Sequence, residues 1–145
     1  MITPSPTAKI DPALARGTLT EVVAPTATKP GYLKFAVPNT SYVMHLMPTV
    51  PVNTPVGKRL IGTIKAQARR IDIVQTGGQY VEPVMGHPRR VQGTVLRVEA
   101  GAVVVDAGFP IHCTPTDPRQ KAADFSAGQF VSFDVMDGAT ITPAV

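Results

Sequence analysis

The sequence predicts an all-β chain with two related halves. Three observations predict it. From Gly17 onward, short runs alternate apolar and polar side chains and are rich in β-branched residues. Proline makes up 15 of 145 residues, about twice the usual share, which breaks helices and punctuates short strands. The order of the runs also occurs twice.

In the first half, "GTLTEVVA" sets Leu19, Glu21 and Val23 against Thr18, Thr20 and Val22. "GYLKFAVP" places Leu33, Phe35 and Val37 on one face and Tyr32, Lys34 and Ala36 on the other, because successive strand side chains point to opposite sides. "SYVMHLM" is a third run. "GKRLIGTIKAQA" and "RRIDIVQ" read as a fourth and a fifth, and "GQYVEPV" as a further short strand after the Gly77-Gly78 turn. Ahead of them, residues 1–15 are rich in Pro, Thr, Ser and Ala without periodicity and read as a flexible arm. Within that arm "IDPALARG" has the makings of one helical turn, with Asp11 capping and Pro12 in the first helical position.

The second half answers the first in order. "QGTVLRVEAG" matches "RGTLTEVVAP", "AVVVDAG" matches "YLKFAVP", and "PIHCTPTDP" matches "VMHLMPTVP". "AGQFVSFDVMDG" matches "VGKRLIGTIKAQ", and "GATITPAV" matches "GQYVEPVM". The spacing drifts from 76 residues between Gly17 and Gly93 to 67 between His45 and His112 and 71 between Gly57 and Gly128. Such drift is what loop insertions between two copies of one framework produce.

No continuous helix is suggested. The second helical candidate, "PRQKAADF" from Pro118 to Phe125, falls between the third and fourth strands of the second half. The five-stranded Greek-key barrel called the OB-fold places its helix there, and over residues 17–145 the chain resembles two such barrels in tandem, related by internal duplication. The resemblance implies a first barrel over residues 16–86, a basic linker over 87–92 and a second barrel over 93–145. Barrels this small bury little core alone, so the halves are expected to pack together or the chain to self-associate.

Composition narrows the function classes. The net charge is +4 and uneven: residues 1–86 hold nine Lys/Arg against four Asp/Glu, residues 87–145 five against six. Any attraction for polyanions therefore belongs to the first half and the junction. A single cysteine forms no internal disulfide. The start "MITPSPTAKIDPALARG" lacks a basic segment followed by an apolar run, and no apolar stretch approaches membrane-spanning length. A soluble cytoplasmic protein without a membrane association is expected. The sequence holds no Walker loop, Rossmann glycine fingerprint, G-x-S-x-G, H-E-x-x-H, C-x-x-C or EF-hand loop.

"IHCTPTDP", residues 111–118, gathers a histidine, the only cysteine and an aspartate. In an extended segment His112 and Cys113 point to opposite faces, so this His does not activate this Cys. Ile111 and Cys113 are expected in the core, the thiol as a small buried hydrophobe. His45 and His112 occupy matching positions and are expected at strand ends, capping Pro turns. Two histidines do not complete a zinc site. No enzyme, metal or cofactor is expected.

With Leu33, Phe35 and Val37 inside, Tyr32 and Lys34 are left outside. The OB resemblance implies binding along strands two and three, with aromatics stacking bases and cations holding phosphates. The expected nucleic-acid-binding residues are Tyr32, Lys34, Lys58, Arg59, Arg69, Arg70, Arg89 and Arg90, with Tyr42 or His45 beside them. Paired arginines suit this role because each planar guanidinium carries five donors. The matching strand "AVVVDAG" has neither cation nor aromatic, so the first half would bind and the second support it. Single-stranded nucleic acid is the expected partner of such a non-enzymatic binding module. The alternative is a structural, assembly or adaptor protein acting through protein–protein contacts, with "MPTVPVNTPVG" and the N-terminal arm forming a self-association or partner interface.

Overall fold

A computed structural model describes residues 11–75 and 78–144. The all-β expectation holds. Among the described residues ten strands run in chain order: β1 (Ala15–Val23), β2 (Tyr32–Ala36), β3 (Val43–Pro48), β4 (Arg59–Val74), β5 (Tyr80–Glu82), β6 (Met85–Gly86), β7 (Arg90–Glu99), β8 (Ala102–Asp106), β9 (Pro110–Pro115) and β10 (Phe130–Pro143). All belong to one sheet.

The pairings close rings. β1, β2 and β3 form an antiparallel meander; β3 then runs parallel to the end of β10, which pairs with the start of β4, which returns to β1. β7, β8 and β9 form a second meander; β9 runs parallel to the middle of β4, whose later part pairs with the start of β10, which returns to β7. Each ring therefore completes itself with strand segments from both halves of the chain. A 16-residue strand such as β4 is about 50 Å long, enough to serve both rings in succession.

This corrects the reading of "GKRLIGTIKAQA" and "RRIDIVQ" as two strands. They are one strand with a change of parity. Leu60, Ile64, Ala66 and Ala68 are buried at even positions, and Ile71 resumes the buried face at an odd one. Across from the slip, the β10 register shifts between Phe133 and Val135. The Gln120 side chain clasps β4 just past it, accepting from Ile71 N–H at 2.9 Å and donating to Ile71 C=O at 2.7 Å. The parity break at Arg69 and Arg70 is what looks like a strand boundary in the sequence.

Details of the two meanders match. β1 has a register shift between Leu19 and Glu21, and β7 has one between Val95 and Arg97. Leu19 exchanges backbone hydrogen bonds with Gly57 and Lys58, and Val95 does so with Gly128 and Gln129. Gly57 and Gly128 have φ of 93° and 91°, which glycine adopts without steric cost.

The inward faces form one continuous core. Leu19, Leu33, Phe35, Met44, Leu46 and Ile64 fill it from the first meander and β4; Val95, Val103, Val105, Ile111 and Cys113 fill it from the second meander. Phe109, Phe125 and Phe133 are buried there as well, whereas Phe130 is only half-buried.

The terminal and linking segments differ from their expected roles in detail. Residues 1–10 of the expected arm lie outside the described residues. Residues 11–15 pack against the sheet, with Ala13 and Ala15 buried. Asp11 does cap a turn, its carboxylate accepting from Ala13 N–H at 2.9 Å. Of the linker, Arg90, Val91 and Gln92 are part of β7. "PRQKAADF" contributes a single 3-10 turn, Ala122–Asp124.

Candidate nucleic-acid interface

Alternation along β2 and β3 decides what faces outward. With Leu33, Phe35, Met44 and Leu46 buried, the outer face presents Tyr32, Lys34, His45 and Met47. Lys34 stands opposite His45 in the register. His45 is therefore mid-strand and outward, not a cap on a Pro turn, and the same correction applies to His112 on β9.

Three rings meet on this face. Tyr32 and His45 stack with centroids 4.7 Å apart and planes 18° from parallel. His87, from the segment between β6 and β7, stands edge-on at 4.9 Å from Tyr32 and 5.4 Å from His45. The three distances form a nearly equilateral triangle, so His87 flanks the stack and the far side of Tyr32 is free of both histidines. A cleft of about 460 Å³ opens beside them, lined by Lys29, Tyr32, Met47, His87 and Arg89, with Asp137 on its wall. Among the described residues, neither Lys29 nor Arg89 makes an ion pair. His45 Nε2 is buried without a hydrogen-bond partner. Burial, followed by the nearby His87 and Lys34, holds the His45 imidazole below its ordinary value.

The other expected residues are distributed. Lys34 Nζ is tied to Glu21 Oε1 at 3.0 Å. Arg70 pairs with Asp72 at 3.0 Å and Arg90 with Asp134 at 2.9 Å. Arg59 pairs with Thr18, which pairs with Ala36, so Lys58 and Arg59 lie at the opposite end of β2 from Tyr32. Arg69 is ten residues further along β4, about 33 Å away for extended chain. The cleft thus brings together Tyr32 and Arg89, with Lys34 alongside on β2. It does not include Lys58, Arg59, Arg69, Arg70 or Arg90. Tyr42 is also elsewhere: its ring meets Phe109 at 6.2 Å and its hydroxyl accepts from Val81 N–H at 3.3 Å. Lys29 was not legible as a contributor, because it sits in a loop without periodicity.

The matching face of β8 and β9 is closed. Val104, across from His112 in the register, is fully buried, and so nearly is His112. His112 Nε2 lies 2.8 Å from the Ala13 carbonyl oxygen, and Nδ1 lies 3.9 Å from Glu99 Oε1. Arg97 joins this cover, donating to Asp11 at 2.9 Å and to Glu99 at 3.1 Å. Cys113 points the other way, into the core, where burial pushes its thiol well above the ordinary range. Adjacent His and Cys side chains thus occupy opposite sides of one strand.

Among the described residues, no three His, Cys, Asp or Glu side chains converge as a metal-binding group, and no helix is long and apolar enough to cross a membrane. No family model, no curated protein and no solved structure matches the chain.

Proposed function

We propose that the chain is a non-enzymatic binding module that holds single-stranded nucleic acid across the outer face of β2 and β3. One observation carries this reading: a single cleft beside that face gathers Tyr32, His87 and two cations, Lys29 and Arg89, that make no ion pair among the described residues. A base stacks on the free side of Tyr32, which His45 backs at 4.7 Å, while Lys29 and Arg89 neutralise phosphates on either side. Lys34 holds the platform through Glu21 and adds its charge at the edge. The matching glycines, register shifts and histidines support a further part of the reading, that two OB-like barrels arose by internal duplication and exchanged their last strands.

The test is fluorescence anisotropy with a labelled oligothymidylate across a salt series. Binding should weaken steeply with salt, with a logarithmic slope of about −0.7 per neutralised phosphate. Tyr32→Ala and Arg89→Gln should each weaken it by about tenfold. Absent binding, or binding indifferent to both salt and Tyr32→Ala, overturns the reading.

The assembly reading rests on a separate observation. Val50 and Val56 in the loop before β4, and Val84 and Met85 beside and on β6, are exposed apolar side chains. A stable oligomer by light scattering that is unmoved by oligonucleotide, and that Met85→Lys dissociates, would favour this second reading.

A further inference from the structure

A second cleft, of about 420 Å³, lies where the two meanders and the N-terminal segment meet. Arg16 and Arg59 line it. Arg16 pairs with Ile61 and Arg59 with Thr18, so the two arginines are diagonal neighbours on adjacent strands. Both point outward, because Ala15, Gly17 and Leu60 take the inward positions. Neither makes an ion pair among the described residues. Asp11 lines the same cleft, and its carboxylate is engaged by Arg97 and by Ala13 N–H. Asn39 lines the cleft from the β2–β3 connection and Phe109 from the β8–β9 connection.

Diagonal neighbours on a strand pair are about 7–8 Å apart, within reach of long side chains, so both guanidinium groups can address one anion. Their fields add inside a concave site and concentrate counter-ions there. The guanidinium fork matches phosphate oxygens bidentately. We propose that this cleft is a phosphate site, with Arg16 and Arg59 gripping one phosphate or diphosphate group and Asn39 adding an amide donor. The phosphate belongs either to a free nucleotide or to the backbone of a bound strand. The site shares no residue with the cleft at Tyr32 and stands whether or not that cleft binds a strand.

Titration calorimetry of the full chain with inorganic pyrophosphate tests it. The unaltered protein should bind, and Arg16→Gln and Arg59→Gln should each weaken binding by at least about tenfold, the loss of one charge-assisted contact set. Arg16→Lys and Arg59→Lys keep the charge without the fork and should give intermediate losses. Lys65→Gln, which removes an exposed charge elsewhere on β4, should leave pyrophosphate affinity unchanged. No binding to the unaltered protein overturns the proposal, as does an equal loss in Lys65→Gln. A strand as the source requires oligothymidylate to displace pyrophosphate and to lose affinity in Arg16→Gln. A free nucleotide as the source requires a nucleoside diphosphate to displace it while oligothymidylate does not. Tyr32→Ala separates the two sites: it should leave pyrophosphate binding intact even where it abolishes oligothymidylate binding.

Discussion

His45 and His112 stand at matching positions in the two meanders, and they are covered in opposite ways. His112 lies under the N-terminal segment, hydrogen-bonded to Ala13 and close to Glu99. His45 lies under two rings, with Nε2 buried and unpartnered. Each lies on the third strand of its meander, so the difference comes from what the chain lays on top. A cover of backbone and carboxylates fills the second face. A cover of side-chain rings leaves the first face with a cleft lined by Tyr32 and His87. Equivalent strand positions therefore do not imply equivalent roles.

The largest effect should come from testing how closely the meanders depend on their paired glycines. A Cβ at Gly93 would collide with the Asp106 backbone carbonyl, and one at Gly17 would approach the Ala36 carbonyl oxygen at 2.6 Å. Gly93→Ala should cost about 3 kcal/mol or more in urea unfolding, because its Cβ would overlap the Asp106 carbonyl more deeply than a Gly17 Cβ overlaps the Ala36 oxygen and the Phe35 ring. Gly17→Ala should cost measurably less. Equal losses would remove this distinction between the rings.

The core positions beneath the two histidines' strands sharpen the comparison next. Leu46 and Cys113 occupy matching inward sites, both fully buried. Leu46→Ala should cost about 3 kcal/mol and Cys113→Ala about 1 kcal/mol, in proportion to the volume removed. Native Cys113 should also react with an alkylating reagent only as fast as the protein opens. Rapid labelling of the native thiol would break this expectation.

The smallest and most direct test exchanges the histidines themselves. His112→Phe abolishes the bond to Ala13 and should cost about 1–2 kcal/mol. His45→Phe keeps the ring stack and removes an unpartnered nitrogen, so at neutral pH it should be close to neutral. His45 should also contribute to acid sensitivity. The folded-state pKa of His45 is lowered, through burial first and then His87 and Lys34, with Glu21 opposing them. Its neutral form is thus the one the fold favours. That preference is satisfied above the ordinary value of 6.5 and is lost as pH falls through the lowered folded value, because the unfolded chain takes up the proton first. Unfolding free energy should fall between about pH 7 and pH 5, and His45→Phe should flatten part of that slope. An unchanged slope in His45→Phe would show that this imidazole carries none of the acid sensitivity.

Much of this comparison was legible in the sequence. "VMHLMPTVP" and "PIHCTPTDP" each supply the third strand of a meander with its histidine in third place, and alternation puts Leu33, Phe35, Ile111 and Cys113 inside. The outward placement of Tyr32 and Lys34 follows from the same alternation. The grouping of cations did not follow. Lys58, Arg59, Arg69 and Arg70 are close in sequence, but the continuity of β4 separates Arg59 from Arg69 by most of a strand. Lys29 and Arg89 are distant in sequence, and the segment carrying His87 brings them together. Neither the closure of the two rings of strands nor the seat of Ala13 against His112 of β9 has a local signature.

The sequence by itself determined that the chain is built of strands and which side chains along most of them face inward. These are properties of neighbouring residues: the period of two along a strand, and the turns that Gly and Pro permit. Only the tertiary structure decided which strands close each ring, which histidine is covered by backbone and which by rings, and which cations share a cleft. Those outcomes depend on backbone hydrogen bonds between segments far apart in the chain. Such bonds are made by groups common to nearly every residue, so side-chain identity does not encode the choice of partner.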